Sequence, residues 1–277
     1  MRKFFLALIT VILSILYASS AFAELALNQD DRAYFPPVIM YHDIKTEPLN
    51  YFDVTVKDFC AQLDWLKAND YETLSIEDLI SYIRNGKTFP EKSVIITFDD
   101  GYNGIYNYAF PELKKRNMKA VFFITASVID KVDGSYPHVT VKELQEIASD
   151  RNFSIGSHTL THPNLTKMTH DEKIHELAES KRILEQLTGR EVISMAYPEG
   201  NYDKQVIESV KESGYEIAFA VQDRGLLDED ARFSIPRIFA GMELAKDDYA
   251  LFKEYVINYK AMPPEAFRER WQPIKQY

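Results

Sequence analysis

Short, almost wholly apolar runs alternate along this chain with longer segments whose apolar residues recur every three or four positions. The runs are Val38–Tyr41, Ser93–Phe98, Lys119–Thr125, Phe153–Ser157, Val192–Tyr197, Glu216–Val221 and Ser234–Ile238. Near-continuous hydrophobicity over five or so residues predicts parallel strands buried on both faces. Between them, Phe59, Leu63 and Leu66 share one helical face. Thr169 and Glu172 form a capping-box pair ahead of Ile174, Leu177, Ala178, Leu184 and Leu187, and Gly189 stops that helix. Asp203 caps a helix carrying Val206, Ile207 and Val210, which Gly214 ends. Strand and helix alternate throughout, so the expected class is α/β with about seven parallel strands. That number favours a closed or nearly closed (β/α) barrel over a small open sheet.

The first residues follow another pattern. Arg2 and Lys3 precede an apolar stretch from Phe4 to Tyr17, and Ala21-Phe22-Ala23 makes a cleavage site before Glu24. Residues 1–23 are therefore expected to be a secretory signal peptide; the other reading is an uncleaved anchor, for which the run is short. Residues 24–277 then form a single domain with its core at about 36–240. The tail from Asp247 starts helical, with Tyr249, Phe252, Tyr255 and Val256 on one face. After cleavage no membrane span is expected, and the protein is exported to the periplasm, the cell surface or the medium.

Charge narrows the partners. The chain carries −10, or −12 without Arg2 and Lys3, and no basic block stands out. That argues against nucleic acid and fits a neutral or cationic substrate better than a polyanion. Cys60 is the only cysteine, so no internal disulfide forms; its helical apolar setting predicts a buried, inert thiol.

Chemistry collects just after the expected strands, where a barrel places its site. Asp99-Asp100-Gly101 ends one strand, and Gly101 can bend it so that the two carboxylates divide their roles. Read alone, this triplet reads first as an Asx turn or a cap before a helix over Tyr102–Lys115. His158 and His162, four apart, share a face if their loop is helical, at metal-ligand spacing. With a carboxylate they make a His₂Asp set, the composition of a catalytic rather than a structural metal site, and a second carboxylate can serve as general base. His42 with Asp43, and Arg237, also fall at strand ends.

Thr97-Phe98-Asp99-Asp100-Gly101 and Ser157-His158-Thr159-Leu160-Thr161-His162-Pro163 resemble the first two motifs of the NodB-homology polysaccharide deacetylases, carbohydrate esterase family four. The resemblance covers roughly Val38 to Ile238. It implies a distorted (β/α) barrel, Asp99 as general base, and Asp100, His158 and His162 as ligands of a divalent metal. Zinc is the first expectation; cobalt, nickel, manganese and iron also suit the ligand set. The substrate implied is an N-acetylated polysaccharide or oligosaccharide, hydrolysed to free acetate.

The departures carry information. Where the family has Arg-Pro-Pro-Tyr-Gly, this chain has Ala196-Tyr197-Pro198-Glu199-Gly200. The resemblance then leaves Glu199 to supply the oxyanion donor through its backbone N–H, and makes Arg237 the candidate to replace the missing arginine that orients the base. No histidine follows His175, but Met40-Tyr41-His42-Asp43 stands before the first motif. This resembles the permuted order of biofilm poly-N-acetylglucosamine deacetylases and implies His42 as general acid, with Asp43 orienting it. Tyr102 is expected to stack on a sugar ring; His138, His170 and His175 are given no role. Peptidoglycan or chitin-like oligomers, O-acetyl esters, and a non-catalytic glycan-binding barrel are the competing readings.

Overall fold

A computed structural model describes residues 36–84, 89–221, 231–241 and 250–258. The expected signal peptide, the tail beyond Asn258 and Tyr249 lie outside these. Among the described residues twelve strands occur: β1 (Val38–Tyr41), β2 (Ile44–Lys45), β3 (Val54–Thr55), β4 (Glu72–Thr73), β5 (Ser93–Phe98), β6 (Ala120–Ile124), β7 (Val132–Asp133), β8 (Tyr136–Pro137), β9 (Phe153–Ser157), β10 (Ser194–Ala196), β11 (Ile217–Phe219) and β12 (Ile238–Phe239). The helices are α1 (Val56–Ala68), α2 (Ile76–Arg84), α3 (Phe110–Arg116), α4 (Val141–Ser149), α5 (His170–Thr188), α6 (Lys204–Glu212) and α7 (Ala250–Asn258).

The main sheet runs β11-β10-β9-β6-β5-β1-β12, all parallel, with β4 added beside β5. Seven parallel strands thus curl as the apolar runs predict. The segment 234–239 draws the two edges together: Ile235 bridges Phe219, while Ile238 and Phe239 pair with Ile39 and Met40. Strand residues alternate between faces. Val38, Ile95, Val121, Phe123, Ile217, Phe219 and Ile235 fill the inside, where Leu79 and Ile80 of α2 join them. Ile39, Ile96, Phe98, Phe122 and Phe153 pack outward against the helices. Each such side chain, fully buried, contributes roughly 2–3 kcal/mol.

Gly156 makes one close approach possible. A Cβ there would lie 2.4 Å from the Phe123 ring, so only glycine lets that ring cross the barrel interior.

The helix signals of the sequence map onto real caps. Thr169 and Glu172 form the capping box of α5, and Gly189 ends it with φ +66°. Asp203 accepts from the Val206 N–H at the start of α6. The segment expected as one helix over Tyr102–Lys115 differs: a π-helical turn, Ile105–Ala109, precedes α3. Gly104, just before it, packs so close to Asp43 that a Cβ would sit 2.0 Å from Oδ1, and the widened turn follows directly on this contact. Cys60 is only partly buried, not enclosed as its helical setting predicts; it lies on the flank of α1 beside Glu112 and Arg116. Among the described residues no helix is long and apolar enough to cross a membrane.

Candidate active site

Ile95, Thr97 and Asp99 form the inward column of β5 and its continuation, and the Asp99 N–H extends the ladder to Tyr41 O at 2.9 Å. The chain then reverses. Asp100 has φ +69° and Gly101 φ +82°, so the bend assigned to the glycine is shared with the aspartate. This reversal lets two consecutive side chains serve one mouth, which a straight strand forbids.

On β9 the inward column is Gly156 then His158. The His158 Nδ1–H donates to Ala196 O at 2.9 Å, which fixes the tautomer and leaves the Nε2 lone pair free to ligate. The loop to His162 is not the expected helical turn. Thr159 and His162 both have left-handed backbones, φ +65° and +62°. The His162 N–H donates to Thr159 Oγ1 at 3.0 Å, and the Thr159 N–H to Ser157 Oγ at 3.1 Å. Buried Glu176 of α5 accepts from the Thr161 N–H at 2.8 Å and from Thr161 Oγ1 at 2.6 Å. Nothing in the sequence singled out Glu176; on α5 it reads as an ordinary polar helix residue.

These constraints bring Asp100, His158 and His162 together. Asp100 Oδ1 lies 3.4 Å from His158 Nε2 and 3.5 Å from His162 Nε2, and the three donor atoms all fall within 4.8 Å of one another. One carboxylate oxygen and two imidazole nitrogens fit a zinc-type divalent cation. Burial lowers the His158 pKa, outweighing the pull of Asp99 and Asp100, so the ring stays neutral, the form a ligand requires.

Asp99 stands beside this cluster, its Oδ2 3.9 Å from His158 Nε2. Arg237 holds it: Nη1 donates to Oδ1 at 2.7 Å and Nη2 to Oδ2 at 2.6 Å. Arg237 is itself fully enclosed. Its Nε donates to Ala220 O at 3.1 Å, Nη1 also reaches Thr97 Oγ1 at 3.3 Å, and its guanidinium lies 5.5 Å from the Phe123 ring centroid. Burial pushes the Asp99 carboxyl up, but Arg237 prevails through its charge and its two hydrogen bonds and brings it to about 2. The position of Arg237 over Phe123 depends in turn on Gly156.

His42 directly follows β1, which pairs with β5, so it leaves the sheet beside Asp99, whose N–H bonds Tyr41 O. Its ring lies between Phe52 and Phe239, at 4.9 and 5.7 Å. Asp43 does not orient it: Asp43 Oδ2 pairs with Lys45 Nζ at 3.0 Å, and His42 Nδ1 has no hydrogen-bond partner. Glu199 sits on the turn after β10 with φ +56°, its carboxylate pointing to solvent and accepting from Asn201 Nδ2 at 2.9 Å. Tyr102 does not present an open face for a sugar. It packs on His138 at 5.0 Å and Tyr136 at 5.3 Å, and its hydroxyl hydrogen-bonds Asp100. His138 is buried in that stack, whereas His170 pairs with Glu212 at the surface and His175 is exposed.

Comparison with known proteins agrees with this geometry. Residues 86–218 match the polysaccharide deacetylase family. The chain is 31% identical over 202 residues to YxkH of Bacillus subtilis, covering 73% of this chain and 70% of that protein. It is 29% identical over 221 residues to a poly-β-1,6-N-acetyl-D-glucosamine N-deacetylase of Staphylococcus epidermidis, covering 72% and 76%. Among solved structures, the Streptococcus pyogenes deacetylase PplD in complex with acetate superposes with a TM-score of 0.66 at 25% identity, covering 86% of this chain and 98% of that one. The chain belongs to the polysaccharide deacetylase family, carbohydrate esterases that act on N-acetyl amide bonds.

Proposed function

We propose that the protein is an exported, metal-dependent N-deacetylase of poly-N-acetylglucosamine or a closely similar glycan. The observation that carries this reading is Asp99, gripped by Arg237 and standing 3.9 Å from a ligand of the Asp100–His158–His162 cluster. A binding module needs no ionised base beside a ligand set. Export rests on the signal pattern of residues 1–23. The polymer rests on the early His42 and on the staphylococcal relative.

A divalent cation held by Asp100 Oδ1, His158 Nε2 and His162 Nε2 would polarise the acetyl carbonyl and acidify a water. Asp99 accepts the proton of the attacking water, and Arg237 keeps its carboxylate ionised and aimed. The Glu199 N–H donates to the oxyanion, a contribution of roughly 3 kcal/mol for one well-placed donor. His42, across the mouth from Asp99, passes a proton to the departing amine. The glycan keeps a glucosamine unit and acetate leaves.

The test is acetate release by the zinc-loaded protein from β-1,6-linked N-acetylglucosamine oligomers, chitin oligomers and peptidoglycan, with Asp99→Asn as control. Release from the first substrate, lost in the variant, is expected. Release only from the others reassigns the polymer, and release from none rejects the reading.

A further inference from the structure

An imidazole that hands a proton to one chosen atom has to be held at a set angle, commonly through a hydrogen bond on its other nitrogen. His42 lacks that bond. Its Nδ1 is enclosed without a hydrogen-bond partner, and the neighbouring Asp43 is paired with Lys45. The residue as a whole is only half-buried, so Nε2 is the nitrogen left to meet a substrate. What fixes the ring has to be packing.

Three rings meet in a triangle. His42 lies 4.9 Å from Phe52 at an interplanar angle of 45°, and 5.7 Å from Phe239 at 69°. Phe52 and Phe239 are themselves perpendicular, 5.9 Å apart at 90°. All three separations fall in the range aromatic pairs prefer. The two phenyls form a corner with the imidazole seated in it, and the ring turns only if the corner opens.

Both phenyls are held in turn. Phe239 ends β12 opposite Met40, and the Ala240 N–H donates to Met40 O at 2.8 Å. Strand residues two apart share a face. The strand end that sends Arg237 to Asp99 therefore also sends Phe239 to His42. Phe52 belongs to the β2–β3 loop, which Asp53 organises: almost fully buried, it accepts from the Leu49 N–H at 2.6 Å and the Asn50 N–H at 3.2 Å. The Phe52 N–H donates to Asn50 Oδ1 at 2.7 Å, and the Tyr51 ring lies on Phe52 with centroids 3.9 Å apart. Gly241 lets loop and strand end meet. A Cβ there would stand 2.5 Å from Tyr51 O and 2.6 Å from the Phe239 ring, so a larger residue would push the two phenyls apart.

We infer that Phe52 and Phe239 are positioning residues, which clamp the His42 imidazole and aim its Nε2 at the leaving nitrogen, a task a carboxylate could otherwise have. This rests on the deacetylase reading for the proton that Nε2 gives up as the C–N bond breaks. Two substrates separate aiming from folding. A sugar amine needs that proton to leave, whereas the nitrophenolate of para-nitrophenyl acetate leaves without one. In the zinc-loaded protein, Phe52→Leu is expected to lower kcat for N-acetylglucosamine oligomers about tenfold relative to kcat for the aryl ester. Phe52→Tyr, which keeps the ring, should restore the ratio. Phe239→Leu should act as Phe52→Leu does, and decides the matter if Phe52→Leu unfolds. Neither should lower the ratio further in a His42→Gln background, where the clamp has nothing to aim. A second measurement needs no turnover. NMR relaxation of the histidine ring carbons should show the His42 ring as rigid as the backbone in the wild type and mobile in the leucine variants. An unchanged ratio in both variants, or a ring as rigid in them as in the wild type, overturns the inference. A ring freed by Phe52→Leu in a protein that releases no acetate keeps the clamp and removes the proposed reaction; acetate release with an unchanged ratio does the opposite.

Discussion

Arg237 grips Asp99 with both arms of its guanidinium, at 2.7 and 2.6 Å, across 138 residues of chain. The pair is enclosed, so its members depend on each other. Removing one leaves a buried charge alone, at a cost of about 3–5 kcal/mol. Arg237→Ala should therefore lower urea stability by that amount. Arg237→Lys keeps the charge but loses the fork; it should fold, with acetate release reduced at least about tenfold. A lysine variant of normal kcat would deny Arg237 any part in aiming the base.

Acid should act on this pair in a defined window. The Asp99 carboxyl falls to about 2 in the folded chain from an ordinary 3.8. Its contribution to stability is present above the unfolded value and lost as pH drops through the folded one. Wild-type melting temperature should thus decline between about pH 4 and pH 2, and Asp99→Asn should flatten that limb.

His158 acts in a higher window. Burial lowers its pKa below 6.5, so the folded chain binds fewer protons than the unfolded one. Metal-free protein should lose stability as pH falls below about 6.5. His158→Gln should remove the slope there. An identical pH profile in that variant would place the titration elsewhere.

Removing the cation should be visible without any substrate. A ligand at a hundred times its Kd stabilises the fold by about 2.7 kcal/mol. Thermal melting of the apo protein should rise on adding zinc, and His162→Ala, at a partly exposed position, should show no such rise. A shift of equal size in that variant would put the ion outside the Asp100–His158–His162 cluster.

Glu176 makes a separate prediction. Both its oxygens are spent on Thr161, between the two histidines, and it has no cationic partner among the described residues. Its role is to hold the loop in which His162 adopts a left-handed backbone. Glu176→Ala should weaken zinc affinity roughly ten- to a hundredfold, the usual effect of losing a group that orients ligands. Glu176→Gln, which can still accept from the Thr161 N–H, should recover most of it. Chelator competition reads both values.

The strands were legible because burial on both sheet faces leaves a plain apolar signature, and α5 and α6 because their caps are local. The number of runs also announced a closed or nearly closed sheet, with Ser234–Ile238 among them. Which residues join its edges was not legible: the last segment does so through one bridge, Ile235 to Phe219, and two paired residues, Ile238 and Phe239 with β1. Asp99, Asp100, His158 and His162 could be named from residue types at strand ends. The way they converge could not, because it depends on left-handed turns at Asp100, Thr159 and His162 that these residue types do not announce. Asp43 looked like a partner for His42 by adjacency alone; neighbouring strand residues face opposite ways, and it turns to Lys45. Tyr102 and Glu176 acquire meaning only from contacts distant in sequence.

Seven non-glycine residues among those described have positive φ, and four of them, Asp100, Thr159, His162 and Glu199, surround the mouth of the barrel. Such conformations cost on the order of 1–3 kcal/mol each. The scaffold below therefore holds a reserve of stability that these turns draw down. Selection for heat resistance alone, with no demand for turnover, should relax this ring of turns first and leave a hardier protein with nothing left to hold an ion.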